Sequence, residues 1–341
     1  MKLNSSDRKI WIDWFKVLGM VLIIWGHMFP YHFTDFVYSF SVPAFFWASG
    51  YLAKVEKENR IFFHKLWRSL IVPYLLISMV NLVMCVTIFH HHYLSVVGVL
   101  KSLMAIPLGI QSFPDNSAIG IGALWFVFTL GVIKVLQHFT SRKFMMVLSV
   151  LCLMLVHVLH PSNCYLAFVS SCLCLPFYTL GTCCQGFDIS QSHFTKKTWI
   201  PIYSFASIAV IIIALWYLSS INQAPYLYKL EYGRNIFLML LNASLGILLL
   251  FLISKRLECL LGGGNLLAVI NSGMILVLGF QRWFVLIVTY IVKPRIVSHF
   301  VFDILSLMFS VLILFIFIPL IIATSRYIPA FIGFRKIKNH E

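Results

Sequence analysis

Charged residues are scarce in this chain. Only 11% of its 341 residues are Asp, Glu, Lys or Arg, whereas 60% are hydrophobic, and its mean hydropathy is +0.92. Soluble domains carry about 25% charged residues, so the composition excludes an ordinary soluble domain and indicates a protein embedded in a lipid bilayer. At roughly 20 residues per span, the chain has room for about ten transmembrane helices.

Acidic residues are scarcer still, with 11 Asp and Glu against 26 Lys and Arg, which gives a net charge of +15. Such an excess can indicate nucleic-acid binding, but here the basic residues form short clusters between apolar runs, as membrane topology signals do. We place 18 of the 26 on one side of the membrane and six on the other, with Lys16 and Lys134 inside spans. This asymmetry predicts that both termini are cytoplasmic, and we expect no nucleic-acid partner.

Motifs for metals and disulfides are also missing. The eight cysteines lie in apolar runs or near their ends, without a paired CxxC spacing, so neither a zinc site nor a disulfide framework is predicted. His90, His91 and His92 form a tract of a kind that can bind metal. Consecutive residues on a helix point in different directions, and an exposed polar loop is the better interpretation. We expect no metal site and no permanently bound cofactor.

The apolar runs predict an all-α, polytopic integral membrane protein with a single domain over residues 1–341. No small-x-small cleavage site follows the first run, so we interpret this run as a retained span. The segment 91–117 is predicted to be the longest outer loop. Arg282 interrupts the ninth run, which we interpret as one long span rather than two short helices. The ten predicted spans cover approximately residues 11–30, 38–53, 69–90, 118–137, 144–160, 165–185, 199–218, 234–254, 265–290 and 300–324.

The first span carries three ionisable residues, Asp13, Lys16 and His27. Such groups cost several kcal/mol at membrane depth unless they are paired or face a wet cavity, so they indicate function. Lys16 and His27 are eleven residues apart, about three helical turns and roughly 16 Å, and therefore share a face. Asp13 and Lys16 are neighbours on that face. A lone histidine more often caps a helix or bonds a neighbour, but this pattern favours His27 as a proton acceptor in a site that runs through the membrane.

Two further features are compatible with ligand binding. Lys65 and Arg68, three residues apart where the third span begins, suit a phosphate-bearing ligand such as coenzyme A, although anchoring at the cytoplasmic surface also explains them. In the fourth span, Trp125 and Phe126 either line a cavity or face lipid and core. In the second span, Ser49 and its neighbour Gly50 are small residues that permit close helix packing.

In their order along the chain, these motifs resemble the acyltransferase-3 family of membrane acyltransferases. Within that family, the chain is most similar to the fucose 4-O-acetylase-related branch, whose members O-acetylate bacterial surface glycans. The matching residues are the pair Lys16 and His27, FFWASGYL from Phe45 to Leu52, KLWRSLIVPY with Lys65 and Arg68, the LWF of Leu124 to Phe126, and YKLEYGRN, which resembles the family's YGN loop.

The resemblance implies a ten-helix bundle in the inner membrane of a bacterium. Acyl coenzyme A, often acetyl-CoA, is the expected donor from the cytoplasmic side, and the expected acceptor is a sugar hydroxyl of a glycan or lipid-linked sugar. Membrane lipids are expected neighbours, and homo-oligomers are possible in such a family. His27 matches the family's essential residue, whereas Lys16, Lys65 and Arg68 match residues that contact the donor or support the site. The candidate substrate contacts are Trp125, Phe126, Ser49, Gln281 and Arg234.

The chain departs from the family pattern at two positions. Gln281 stands where the related branch typically has histidine, and glutamine cannot act as a base at neutral pH. Lys65 replaces an arginine and lacks its two-pronged fork for phosphate.

We predict a membrane O-acyltransferase in which His27 is the general base and Asp13 and Lys16 shape the inner half of the site. A transient acyl group on His27 is an alternative within that class. The rivals from other classes are a non-catalytic scaffold and a secondary transporter or flippase of lipid-linked sugars. Transporters usually show related halves, which this sequence lacks.

Overall fold

The computed structural model describes residues 9–88, 95–161, 164–186 and 200–334. Within these ranges the chain forms helices joined by turns and loops, without a β-strand, which confirms the all-α prediction. The predicted His90–His92 tract lies outside the described residues. The helices are α1 (Ile10–His27), α2 (Thr34–Tyr51), α3 (Asn59–Leu66), α4 (Val72–Ile88), α5 (Val96–Leu108), α6 (Trp125–Phe139), α7 (Arg142–Leu159), α8 (Ala167–Cys183), α9 (Ile200–Asn222), α10 (Ile236–Leu261), α11 (Asn265–Ser272), α12 (Met274–Ile287) and α13 (His299–Tyr327).

In the described part of the chain, eight helical segments are long and apolar enough to cross a membrane. The other two predicted spans correspond to α2, which is less apolar than α1, and α8, which has only 17 residues. The polytopic architecture is therefore confirmed. The eight segments are Ile10–His27, Asn59–Ile88, Gly122–Phe139, Arg142–Leu159, Phe205–Lys229, Ile236–Leu261, Met274–Arg295 and His299–Tyr327.

Helices α2 and α8 approach each other at backbone distance. A Cβ atom added to Gly50 would lie 2.0 Å from the carbonyl oxygen of Tyr178, and one added to Gly181 would lie 2.1 Å from that of Trp47. Small residues permit this kind of contact between membrane helices. The prediction of close helix packing near Gly50 is confirmed.

The predicted outer loop 91–117 is wrong in part, because it contains α5. The Ser95 side chain accepts a hydrogen bond from the backbone N–H of Gly98 and caps the start of this helix. Gly109, in the left-handed conformation at φ 66°, ends it. The apolar residues between these caps outweigh the loop-forming composition of the flanks.

The ninth predicted span is interrupted at Gly273, between α11 and α12. A Cβ atom at this position would lie 2.3 Å from the Ile321 side chain, so the close packing of α13 requires glycine. The backbone N–H of Val277 still donates to the carbonyl of Gly273, and the two helices follow each other without an intervening loop. The interruption lies two turns before Arg282, the residue that the sequence marked.

Helix α1 lies inside the bundle, where α2, α10, α11, α12 and α13 pack against it. Its first residues and the end of α2 lie at one end of the bundle, where the Lys9 ammonium donates to the Tyr51 hydroxyl over 2.7 Å. We call this the Lys9 end. The last residue of α1 and the start of α2 define the opposite, His27 end.

Candidate functional site

A pocket lies at the His27 end of the bundle, with a cavity volume of about 50 Å³. Its walls are mostly apolar and aromatic, and they come from α1, α2, α6 with the turn before it, α12 and the segment 223–235. The lining residues are Ile23, Gly26, His27, Tyr38, Ser41, Val42, Ala123, Trp125, Phe126, Pro225, Tyr226, Leu227, Tyr228 and Leu278. Apolar pockets with a few convergent polar groups are the usual form of a small-molecule site.

Aromatic rings surround the imidazole of His27. The ring of Tyr38 meets it edge-on, with centroids 6.5 Å apart, and Tyr226 lies 5.1 Å from Tyr38. Tyr228, a further ring of the pocket wall, lies 6.4 Å from Trp125. These rings exclude bulk water from much of the histidine's surroundings. The neutral imidazole can accept a proton at one of its nitrogens, beside an apolar cavity.

The segment 223–235 covers the pocket because Asn222 holds it in place. The side-chain amide of Asn222 donates to the Tyr232 carbonyl over 3.0 Å, and its oxygen accepts from the backbone N–H of Asn235 over 2.8 Å. The Asn222 carbonyl also accepts from the backbone N–H of Arg234. One fully buried asparagine thus fixes the loop that carries Tyr226 and Tyr228.

Trp125 and Phe126 both line the pocket together with His27. Of the two interpretations that the sequence allowed, the rings therefore form a cavity wall and do not face lipid. A short 3-10 turn, Gly122–Leu124, leads into α6 and turns both rings inward. Phe126 packs against Phe46 with ring centroids 4.6 Å apart.

Asp13 and Lys16 lie on the same helix as His27 but not at the pocket. Asp13 is buried, and its Oδ1 lies 4.0 Å from the Lys16 ammonium. Its backbone carbonyl accepts a hydrogen bond from the Asn271 side chain. At 1.5 Å per residue, the pair is roughly 16–21 Å from His27 along α1.

Lys65 and Arg68 follow α2 on the side of the Lys9 end, and neither lines the pocket that contains His27. Both side chains are exposed. The Lys65 ammonium lies 2.5 Å from a carboxylate oxygen of Glu56, and the Arg68 guanidinium stacks 4.3 Å from the centroid of the Phe334 ring. The structure therefore does not bring the predicted donor-binding residues together with His27.

Three other predicted contacts, Ser49, Arg234 and Gln281, do not line the pocket. Ser49 is eight residues beyond Ser41 on α2, about 12 Å closer to the Lys9 end. Arg234 belongs to the covering segment, but its side chain is exposed.

Gln281 on α12 is fully buried, and neither atom of its side-chain amide has a hydrogen-bond partner among the described residues. Leu278, one helical turn earlier, lines the pocket. Buried polar groups without a partner are rare in folded proteins and ask for an explanation, such as a bound water or ligand.

Sequence reasoning missed Asp303, a fully buried carboxylate on α13. It accepts hydrogen bonds from the backbone N–H groups of Tyr31 and His32, over 2.6 and 3.1 Å, and lies 2.7 Å from His32 Nδ1. Its backbone carbonyl accepts from the Trp25 indole. Asp303 thus anchors the turn that directly follows His27. An acid inside the apolar run 300–324 was the signal that could have found it.

The three pocket tyrosines were not among the predicted contacts. Tyr228 begins the YKLEYGRN motif that the sequence marked, whereas Tyr38 and Tyr226 belong to no motif and come from distant segments. Within the described ranges, no cluster of three or more His, Cys, Asp or Glu side chains could hold a metal ion.

A family model for the acyltransferase domain, that of acyltransferase-3, matches residues 9–326. This range includes every helix described above except the last residue of α13. No curated protein and no solved structure gives a significant match.

Proposed function

The chain belongs to the acyltransferase-3 family, and on this premise we propose that it moves an acetyl group from cytoplasmic acetyl-CoA to a sugar hydroxyl of a bacterial surface glycan. Family membership and the eight apolar helices make it a multi-pass membrane enzyme that transfers acyl groups. The observation that carries the finer proposal is the small apolar pocket beside His27.

The size of this pocket favours a short acyl group. A cavity of about 50 Å³ accommodates only a few water molecules, each of which needs roughly 10–15 Å³. An acetyl group fits this space between Trp125 and Phe126, whereas a long acyl chain does not. We assign these two rings to the acyl group.

In the proposed reaction, His27 takes the proton from the acceptor hydroxyl as its oxygen attacks the carbonyl carbon of the thioester. The new C–O bond forms, the C–S bond breaks, and the departing thiolate receives the proton from the imidazolium. In the alternative path, the acyl group first rests on His27 and then passes to the acceptor. Gln281 is a hydrogen-bonding group in either path and not a base.

The donor's phosphates suit Lys65 and Arg68, which the charge asymmetry of the sequence assigns to the cytoplasmic side. Because these residues do not line the pocket that contains His27, the acyl end of the donor has to reach from them into the bundle. Asp13 and Lys16 lie along that path. Arg234, on the segment that covers the pocket, is then on the acceptor side, and the pocket gives no role to Ser49.

Mass spectrometry of surface glycans tests this proposal in a bacterial strain from which the gene has been deleted. The strain is complemented with wild type, His27→Ala or His157→Ala. His157 is a matched control, since it is an exposed histidine at the His27 end of α7 and does not line the pocket. We expect wild type and His157→Ala to restore a mass increase of one acetyl group, and His27→Ala to restore none.

Normal acetylation by a well-expressed His27→Ala variant would contradict the mechanism. Loss of glycan export without any change in acetylation would favour the flippase alternative.

A further inference from the structure

Arg282 is a cation inside α12, one of the membrane-crossing helices. In the described part of the chain, no acid forms an ion pair with it and no group hydrogen-bonds its side chain. Cations at membrane depth normally pair with an acid or face a wet cavity. The guanidinium is exposed, so its charge is available to a negative group that comes to it.

The guanidinium lies at the edge of the His27 pocket. One of its nitrogens, Nη1, is 3.5 Å from the position that a Cβ atom on Gly122 would take. Ala123, the next residue, lines the pocket, and so does Leu278, one turn before Arg282 on α12. Arg282 is also within electrostatic range of His27.

Gly122 permits this approach. Its φ of +53° lies in the left-handed region, which residues with side chains rarely adopt, and it places no side chain between the guanidinium and the pocket edge. The backbone N–H of Gly122 donates to the Gln111 carbonyl, which holds the turn in position.

We propose that Arg282 is a catalytic residue that stabilises the oxyanion formed during acyl transfer, an inference that rests on the function proposed above. When the acceptor oxygen attacks, the π electrons of the thioester carbonyl move onto its oxygen. The guanidinium donates hydrogen bonds to this oxygen and keeps its own protons. As the C–S bond breaks, the carbonyl re-forms, and the thiolate takes the proton that His27 had accepted.

The other charges around the pocket support this assignment. The remaining lining side chains are neutral when His27 is neutral. Two cations lie beside the pocket: the Lys229 ammonium is 5.4 and 5.5 Å from the ring centroids of Tyr226 and Tyr228, and Arg282 is within electrostatic range of His27. We assign the developing negative charge to Arg282, because it is the cation that acts on the proposed base. Hydrogen bonds from preorganised donors stabilise a developing charge more strongly in an apolar surrounding than in water. The planar, forked guanidinium holds an oxygen in a defined geometry. The donor's phosphates, by contrast, meet Lys65 and Arg68 at the Lys9 end.

Membrane vesicles that contain the native glycan, supplied with radiolabelled acetyl-CoA as the probe, test the inference. Rates are measured against acetyl-CoA concentration for wild type, Arg282→Gln, Arg282→Lys and His27→Ala. Arg295→Gln is the matched control, because Arg295 is an exposed arginine that follows the same helix, and its guanidinium donates to the Ile291 carbonyl instead of approaching Gly122 at the pocket edge. Thermal unfolding confirms that each variant is folded.

We expect Arg282→Gln to lower kcat by about 10²–10³-fold, as for removal of an oxyanion donor, with the KM for acetyl-CoA unchanged. Arg282→Lys should retain an intermediate rate, because it keeps the charge and loses the fork. A further variant, Arg282→Ala, is assayed with and without guanidinium ions in the solution, which should partly restore its rate because the position is exposed. Arg295→Gln should behave like wild type.

An unchanged kcat for Arg282→Gln, beside an inactive His27→Ala, would overturn the inference and leave the proposed function intact. A change in KM alone would also overturn it, because that result assigns Arg282 to ligand binding. Absence of acetyl transfer by wild type would overturn the proposed function and the inference with it.

Discussion

His27 and Tyr38 meet edge to face across the pocket, with ring centroids 6.5 Å apart, although they belong to consecutive helices that run in opposite directions. Gly26 makes the contact possible: a Cβ atom there would lie 3.2 Å from the Val37 side chain and 3.4 Å from the Tyr38 ring. The short connection between α1 and α2 therefore builds the part of the pocket that contains the proposed base.

The turn after His27 depends on Asp303. Asp303→Asn should lower the free energy of unfolding by about 1–3 kcal/mol, because a charged acceptor is lost and one amide N–H then faces a backbone donor. Thermal unfolding in detergent measures the effect. His32→Gln should cost less, since the two backbone hydrogen bonds to Asp303 remain. Equal losses in the two variants would instead assign the stability to the His32 pair.

Arg68→Ala should raise the KM for acetyl-CoA about tenfold or more. A charge-assisted hydrogen bond to phosphate contributes about 1.5–3 kcal/mol, and each 1.4 kcal/mol is tenfold in affinity. Lys65→Ala should act in the same direction. Lys143→Ala is the control, because Lys143 is another exposed cation at the Lys9 end. A loss in kcat with an unchanged KM would contradict donor binding by Arg68.

The pocket volume predicts a sharp limit on acyl length. Transfer should fall from acetyl-CoA to butyryl-CoA in vesicle assays, because the pocket of about 50 Å³ is small and the longer chain has to displace its aromatic walls. Val42→Ala removes two methyl groups from the pocket wall and so enlarges the cavity. It should increase the rate with butyryl-CoA relative to the rate with acetyl-CoA. An unchanged ratio would exclude this cavity as the acyl site.

Gln281→Leu should lower the rate of acetyl transfer without lowering the stability of the fold. Replacing a buried amide that lacks partners by an apolar side chain of similar size should leave the protein as stable or raise the unfolding free energy by about 1 kcal/mol. The rate of acetyl transfer should fall, because the amide is proposed to meet substrate. Asn242→Leu is the control: its amide also lacks partners among the described residues, but α10 contributes no residue to the pocket, whereas Gln281 lies one turn after the lining residue Leu278. Full activity of Gln281→Leu would exclude the proposed contact.

Gly50→Ala should strongly reduce the amount of folded protein. The added methyl group would overlap the Tyr178 carbonyl at 2.0 Å, and overpacking of this kind costs about 1–3 kcal/mol or more. Gly264→Ala should be neutral, because no atom lies within 4 Å of its Cβ position. Thermal unfolding of both variants measures the difference, and equal stability would contradict the close packing of α2 and α8.

The helices were predictable because each apolar run is long, and length and composition alone indicate a span. Helix α5 was missed because its apolar residues are flanked by His, Pro and Gly, which are typical of loops. The position of His27 on the face of α1 was also predictable from helical spacing. Spacing along one helix gives no information on its neighbours, so the contact of His27 with Tyr38 and with the segment 223–235 could not be predicted.

The same limit applies to Lys16 and His27. Their shared face and their separation along α1 were predictable, but the residues of other helices decide which part of that face meets a cavity, and the pocket is lined by His27 and not by Lys16. Asp303 could have been found as an acid inside the apolar run 300–324, but its contacts with the backbone of Tyr31 and His32 leave no pattern in the sequence.

The bond between the indole of Trp25 and the backbone of Asp303 joins residues 278 positions apart in the chain. During synthesis, the first helix enters the membrane long before its partner exists. The last turn of α1 therefore has no bond to α13 until the ribosome has synthesised α13 and this helix has been inserted into the membrane. A chain that stalls before this point carries every pocket residue but lacks the anchor, so the proposed enzyme becomes active only after α13 has been inserted.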